Sequence, residues 1–225
     1  MNDKQSAFVE RIGTSATHEI MNGLASVGQS TGLMQDLLGM GLGGGLRARL
    51  RRIFSSKTQA SKDPEQRLQK SLLTVGHSME RTMRTTRALS RFLHSLTPSQ
   101  EQISTIQALE IVTELMQPSA KQKKSTLRLL ESETKDPFPA HPLPAYQAVV
   151  ACIEVFLDKA SQDELSLGCQ GNALGGIVVT VQSSKLAPAE EDVPEVREIC
   201  PDLAELGYAI ERTPNGLAIH LPSSS

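Results

Sequence analysis

Two stretches of the chain repeat an apolar residue at alternating four- and three-residue steps, and this pattern narrows the fold more than any other feature. Ile20, Leu24, Val27, Thr31, Met34 and Leu38 form the first stretch, within a helical pattern running from about 8 to 38. Leu68, Leu72, Val75, Met79, Thr82, Thr86, Leu89, Leu93 and Leu96 form the second. A 4-3 alternation marks one seam of a coiled coil or bundle, because it keeps apolar side chains on one side of a helix. Between them lies Gly39-Met40-Gly41-Leu42-Gly43-Gly44-Gly45, then Arg47, Arg49, Arg51 and Arg52, then a polar linker. Glycine is costly inside a helix and cheap beyond its end, so residues 39–63 read as the tip of a helical hairpin. Asp63-Pro64-Glu65 restarts the helix, with the cap at Asp63 and proline at the first helical position. A lone hairpin covers only part of such a stripe. The expectation is an antiparallel hairpin that pairs with a second copy as a four-helix bundle.

Within the first helix stands Thr17-His18-Glu19-Ile20-Met21-Asn22. At about 100° per residue, His18 lies roughly 200° round the helix from Ile20 and points away from the seam. Asn22 is one turn further on the same face. Counting down from the tip, His18 falls level with about residues 82–86, where Thr82 and Thr86 interrupt the seam and Arg81, Arg84 and Arg87 cluster. H-E-x-x-N also resembles the H-E-x-x-H of zinc proteases, but the second histidine is missing and asparagine is a poor zinc ligand. His77, His94, His141 and His220 lack such company and read as surface or structural residues.

After Thr97-Pro98 the texture changes. Residues from about 99 to 116 form an amphipathic helix with Ile103, Ile106, Leu109 and Leu115, and "STLRLLES" reads as a strand. A proline-rich link leads to an apolar helix through Tyr146, Val149, Val150, Ile153, Phe156 and Leu157. "ELSLGCQG" and the β-branched "GGIVVTVQSS" read as paired strands, Pro194 to Leu206 as helix, and Pro214-Asn215-Gly216 as the turn of a closing hairpin. The division expected is 1–97 for the hairpin and 98–225 for a mixed α/β layer.

Charge follows the same division. The net charge of -2 hides 14 Lys/Arg against 7 Asp/Glu up to residue 96, and 9 against 18 thereafter. One half is suited to an acidic partner. Aromatic residues make up 3% with no Trp, which disfavours a base-stacking surface. Cys152, Cys169 and Cys200 are scattered, without C-x-x-C, and fit a reducing compartment. The start "MNDKQSAFVE" has no apolar core of signal type, and no apolar run nears the ~20 residues that span a bilayer. A cytoplasmic protein without a sensor segment is expected.

The box "ATHEIMNGLASVGQSTGLMQDLL" followed by a second bundle helix resembles the dimerisation and histidine-phosphotransfer domain of two-component histidine kinases. "YQAVVACIEVFLDKAS" and "LAELGYAIERTPNGLAIHLP" resemble helix and hairpin segments of the matching ATP-binding domain. The resemblance implies an α+β chain, a dimeric four-helix bundle followed by a degenerate kinase-type ATPase α/β sandwich. It also implies where nucleotide binding has been lost. Ala151 and Val155 stand where the family carries magnesium-holding asparagines, and neither can ligate a hard cation. "QSSKLAPAEED" replaces the family's glycine-containing adenine grip, and too few residues follow for a lid. The chain thus resembles the dimeric histidine phosphotransferases of bacterial phosphorelays.

What this resemblance implies about chemistry centres on His18, Glu19 and Asn22. A neutral imidazole can take a phosphoryl group from an aspartyl phosphate and release it to another carboxylate. Glu19 can accept a hydrogen bond from the far ring nitrogen, and Asn22 can orient water for receiver dephosphorylation. Arg81, Arg84 and Arg87 would attract the acidic pocket of a receiver domain, which would bring its own Mg2+. No ATP and no cofactor of its own are expected; partners are receiver domains, a second copy, and an upstream hybrid histidine kinase. Two other readings stay open at this point: a non-catalytic module that sequesters a response regulator or inhibits a kinase, and an ATP-dependent kinase with an atypical pocket. The basic stretch 42–55 could also touch a membrane or nucleic acid.

Overall fold

The computed structural model describes residues 3–42, 64–97, 103–132, 136–139, 141–159, 162–171 and 176–222, with backbone alone for 37–42 and 64–65. Its elements in chain order are α1 (Asp3–Leu42), α2 (Pro64–Ser95), α3 (Thr105–Gln122), β1 (Thr126–Leu129), α4 (Pro142–Lys159), β2 (Glu164–Gly171), β3 (Ile177–Ser183), α5 (Asp192–Ile199), a 3-10 turn (Pro201–Leu203), β4 (Ala209–Thr213) and β5 (Gly216–Leu221). The chain is therefore α+β, with two long helices followed by helices on a mixed sheet. Helix α1 is longer than the periodicity predicts and carries Gly39 and Gly41 inside it. The basic stretch from 43 onward, the rest of the expected tip and the Asp63 cap lie outside the described residues.

Contacts divide the molecule into two compact units, residues 1–16 with 86–225, and residues 17–85. The division falls inside both long helices, whereas the change of sequence texture lies at 97/98.

The larger unit holds the sheet, ordered β1-β2-β3-β5-β4. β1 and β2 are parallel and joined through α4; the other pairs are antiparallel, with Leu167 opposite Val181 and Val179 opposite Ile219. Alternate residues of these strands, including Leu165, Leu167, Val179, Val181, Leu217 and Ile219, are buried, as a half-covered sheet requires. The closing hairpin forms as the sequence predicts. Gly216 is required there, because a Cβ would press into the Val181 backbone.

Aromatic residues are few but concentrated. Phe8 lies 6.3 Å from Phe92, Phe92 lies 5.1 Å from Tyr146, and Tyr146 lies 5.0 Å from Phe138, mostly edge-on. Tyr146 keeps its hydroxyl satisfied through Ser95 Oγ at 3.1 Å, and burial pushes its phenol up to about 12. The starts of α1 and the end of α2 thus belong to the same core as the sheet helices.

Helix α3 begins at Ser104, which caps Gln107 N while Gln107 returns a bond to the cap. It continues through Pro118 to Gln122, beyond the expected end near 116. The helix expected from 194 to 206 is instead α5 and a separate 3-10 turn, broken at Cys200-Pro201. Proline lacks the N–H that would continue the ladder and clashes with the preceding turn.

Candidate functional site

The smaller unit is held together by small residues. Gly23, Ser71, Ser78 and Thr85 are buried, and the last three recur every seventh position of α2. Ser78 Oγ donates to Ser26 Oγ at 3.0 Å across the hairpin. Gly23 faces Thr82 so closely that a Cβ would collide with Thr82 Oγ1, which donates to Ser78 O at 2.8 Å. Glycine at this position lets the helix backbones approach. Within the 4-3 seam, Leu24, Leu72 and Met79 are each more than half exposed in the single chain. These members of the 4-3 repeat face outward, while Ile20, Val27, Leu68, Val75 and Thr82 of the same repeat are partly buried, and Thr82 and Thr85, rather than Thr82 and Thr86, lie along the contact.

This contact fixes what surrounds His18. His18 is about 140° from Gly23 round α1, and it is exposed, as is Asn22 one turn on. Glu19 follows by about 100° and turns toward α2. Its carboxylate Oε1 lies 2.9 Å from Arg81 Nε, with side-chain exposures of 14% and 38%. Arg81 Nε–H is not aligned on an acceptor, so the contact is ionic rather than a directed hydrogen bond. The expected role of Glu19 as acceptor for the His18 ring thus has a competitor in Arg81.

The three arginines grouped by sequence do not share one setting. Arg81 is half-buried on Glu19, while Arg84 and Arg87 are exposed, and Arg87 belongs to the larger unit. Nothing in the periodic pattern singles out Arg81; the signal is its spacing from Ser78 and Thr85, which brings it toward the small-residue face. His77 and His94 are exposed on α2.

Residues at the positions likened to a nucleotide pocket are arranged differently. Ala148 through Ile153 on α4 are all buried, and so are Val155, Phe156 and Leu157. More than a full turn of consecutive buried residues means that the helix is covered on every side. Ala151 and Val155 are each 1% exposed within this core. Glu154, which lies between Ile153 and Val155 and is partly exposed, pairs with Arg11. The segment after β3 is pinned as well. Ser183 Oγ and Ser184 Oγ donate to the buried Asp163 carboxylate, while Lys185 N and Leu186 N donate to Ser183 Oγ. Burial would raise the Asp163 carboxyl, but bonds from Ser183, Ser184 and Glu164 N outweigh it and hold the group below its usual value.

Surface cavities of about 500 Å³, lined by Arg197, Leu203, Tyr208 and Ile210 among others, and of about 250 Å³, lined by Lys4, Phe8, Arg11 and Gln147 among others, flank this layer. Neither is lined by Ala151 or Val155. Among the described residues no three His, Cys, Asp or Glu side chains are grouped to hold a metal ion, and no helix is long and apolar enough to cross a membrane.

No family model and no curated protein matches the sequence. Among solved structures, Acinetobacter baumannii histidine kinase AdeS matches 80% of this chain and 94% of its own, with 14% identity and a TM-score of 0.42. The blue-light activated histidine kinase of Erythrobacter litoralis matches 70% of this chain and 58% of its own, at 12% identity and a TM-score of 0.45. Histidine kinase ThkA, in complex with response regulator protein TrrA, matches 97% of this chain over 63% of its own, at 13% identity and a TM-score of 0.42. The structural neighbours are histidine kinases; at these scores they assign no residue role and no activity to this chain.

Proposed function

We propose that the chain is a histidine phosphotransferase of two-component signalling, passing phosphoryl groups between receiver aspartates through His18. The carrying observation is the exposed His18–Asn22 face on a helix whose other side is fixed against α2 at Gly23. Exposure lets the imidazole reach a partner's acyl phosphate. A ring nitrogen bonds to phosphorus as the aspartyl oxygen leaves with its electron pair, and the reverse step regenerates the histidine on a second receiver. The receiver supplies Mg2+ in this scheme, and the chain uses no ATP. The complete burial of α4 around Ala151 and Val155 supports that last point, because a ligand would have to displace packed core to reach them.

The outward apolar face supports a homodimer. Leu24, Leu72 and Met79 are accompanied by exposed Met21, Leu73 and Met83, and a second hairpin would cover much of this stripe.

Mixing a receiver phosphorylated at aspartate with the chain tests the function. Label moves to the wild type and not to His18→Ala, while Asn22→Ala slows loss of label from the receiver. Tight binding without transfer would replace the relay with a sequestering module. Stoichiometric labelling from ATP by the purified chain alone would establish a kinase instead.

A further inference from the structure

The expected place of Arg81 was at the receiver-facing surface, but its guanidinium is turned inward onto Glu19, the residue next to His18. The pair lies where the two helices are locked at close range. Gly23 admits Thr82 without clearance for a Cβ, Thr82 bonds to Ser78 O, and Ser78 bonds to Ser26 across the hairpin. Neither helix can slide to release the pair without breaking these contacts. The Glu19 side chain is largely buried, where an uncompensated carboxylate is unfavourable.

An incoming phosphoryl donor is an anion, and a carboxylate one residue from the accepting ring opposes it. A cation holding that carboxylate in the interhelical contact removes most of the opposition without itself touching the donor. Resting on the relay reading above, we propose that Arg81 is a positioning residue for phosphoryl acceptance at His18, acting through Glu19 and not by docking the receiver. Arg84 and Arg87 are exposed and remain available for docking.

Phosphoramidate provides a donor with no receiver surface. Its P–N bond breaks, ammonia leaves, and phosphorus bonds to a ring nitrogen of His18. Arg81→Gln lowers the labelling rate at subsaturating donor about ten-fold by restoring the opposing charge, and this loss shrinks as salt screens that charge. Arg81→Lys keeps the rate within about two-fold, since the ammonium supplies the same charge. In a Glu19→Gln background, Arg81→Gln changes the rate by less than about two-fold, because the residue it acts through carries no charge. Equal losses in both backgrounds, or no loss in the first, overturn the inference while leaving the relay intact. Loss caused by misfolding would not be rescued by Lys or cancelled by Glu19→Gln, and that pattern also overturns it. If the wild type takes no label from phosphoramidate or from any phosphorylated receiver, the relay reading itself falls, and the inference with it.

Discussion

Gly23 and Gly28 are both helical glycines on α1, yet their surroundings make them opposites. Nothing lies within 4 Å of a Cβ built on Gly28, so Gly28→Ala removes only the flexibility of glycine and raises stability by up to about 1 kcal/mol. Gly23→Ala gains the same helix preference but drives its methyl into Thr82 Oγ1. Turning the Thr82 side chain away breaks its bond to Ser78 O, and separating the helices loosens the Ser26–Ser78 bond, for a combined cost of roughly 2–4 kcal/mol. Thermal unfolding of the two variants therefore moves in opposite directions. Gly23→Ala with Thr82→Ala recovers most of the loss, because the remaining Thr82 Cβ position stands at ordinary contact distance.

Among the elements, the end of α4 and the start of α5 are joined by Lys159, whose ammonium pairs with the buried Asp192 and with Glu195 at 3.1 Å. The Asp192 hydrogen bond raises Lys159 above its usual value, burial opposes the shift, and Glu195 adds to it. A raised lysine contributes stability that is complete below its unfolded pKa and lost as pH rises through the native value. Lys159→Met removes the cation from the buried Asp192, which keeps its bond from Ala189 N, and costs about 1–3 kcal/mol at pH 7. Denaturant unfolding across pH checks this: the gap to wild type stays constant near neutrality and narrows in strong alkali, as Lys159 loses its charge. Most elements were legible from β-branched runs, turn residues and periodicity, and the β4–β5 hairpin and the β2–β3 pair formed where their sequences pointed. The contacting face of the hairpin was not. Periodicity weighs large apolar side chains, whereas close helix contact selects Gly23, Ser71, Ser78 and Thr85, which carry little hydrophobic signal. Helix phase against the 4-3 seam does not by itself give the exposure of His18 and Asn22, because part of that seam is exposed too, and the pairing of Glu19 with Arg81 depends on the unseen face.

For the whole molecule, small-residue packing leaves several large apolar side chains exposed, and the proposed dimer would cover them. Leu72→Glu or Met79→Glu places a charge on that outward stripe and converts the proposed dimer to monomer in sedimentation at micromolar concentration, while leaving the sheet unit folded. Arg84→Glu, exposed on the same helix, leaves the dimer unchanged. In the sheet unit, the sealed α4 limits which side chains its core positions accept. Placing asparagine at Ala151 and Val155 would bury two amides in a core shaped for methyl groups, at a cost on the order of several kcal/mol. The double variant is expected to melt far below wild type and to show no Mg2+-dependent nucleotide binding by calorimetry. A helix packed on every side in this way resists any polar replacement along its length, because each new amide must first displace apolar core.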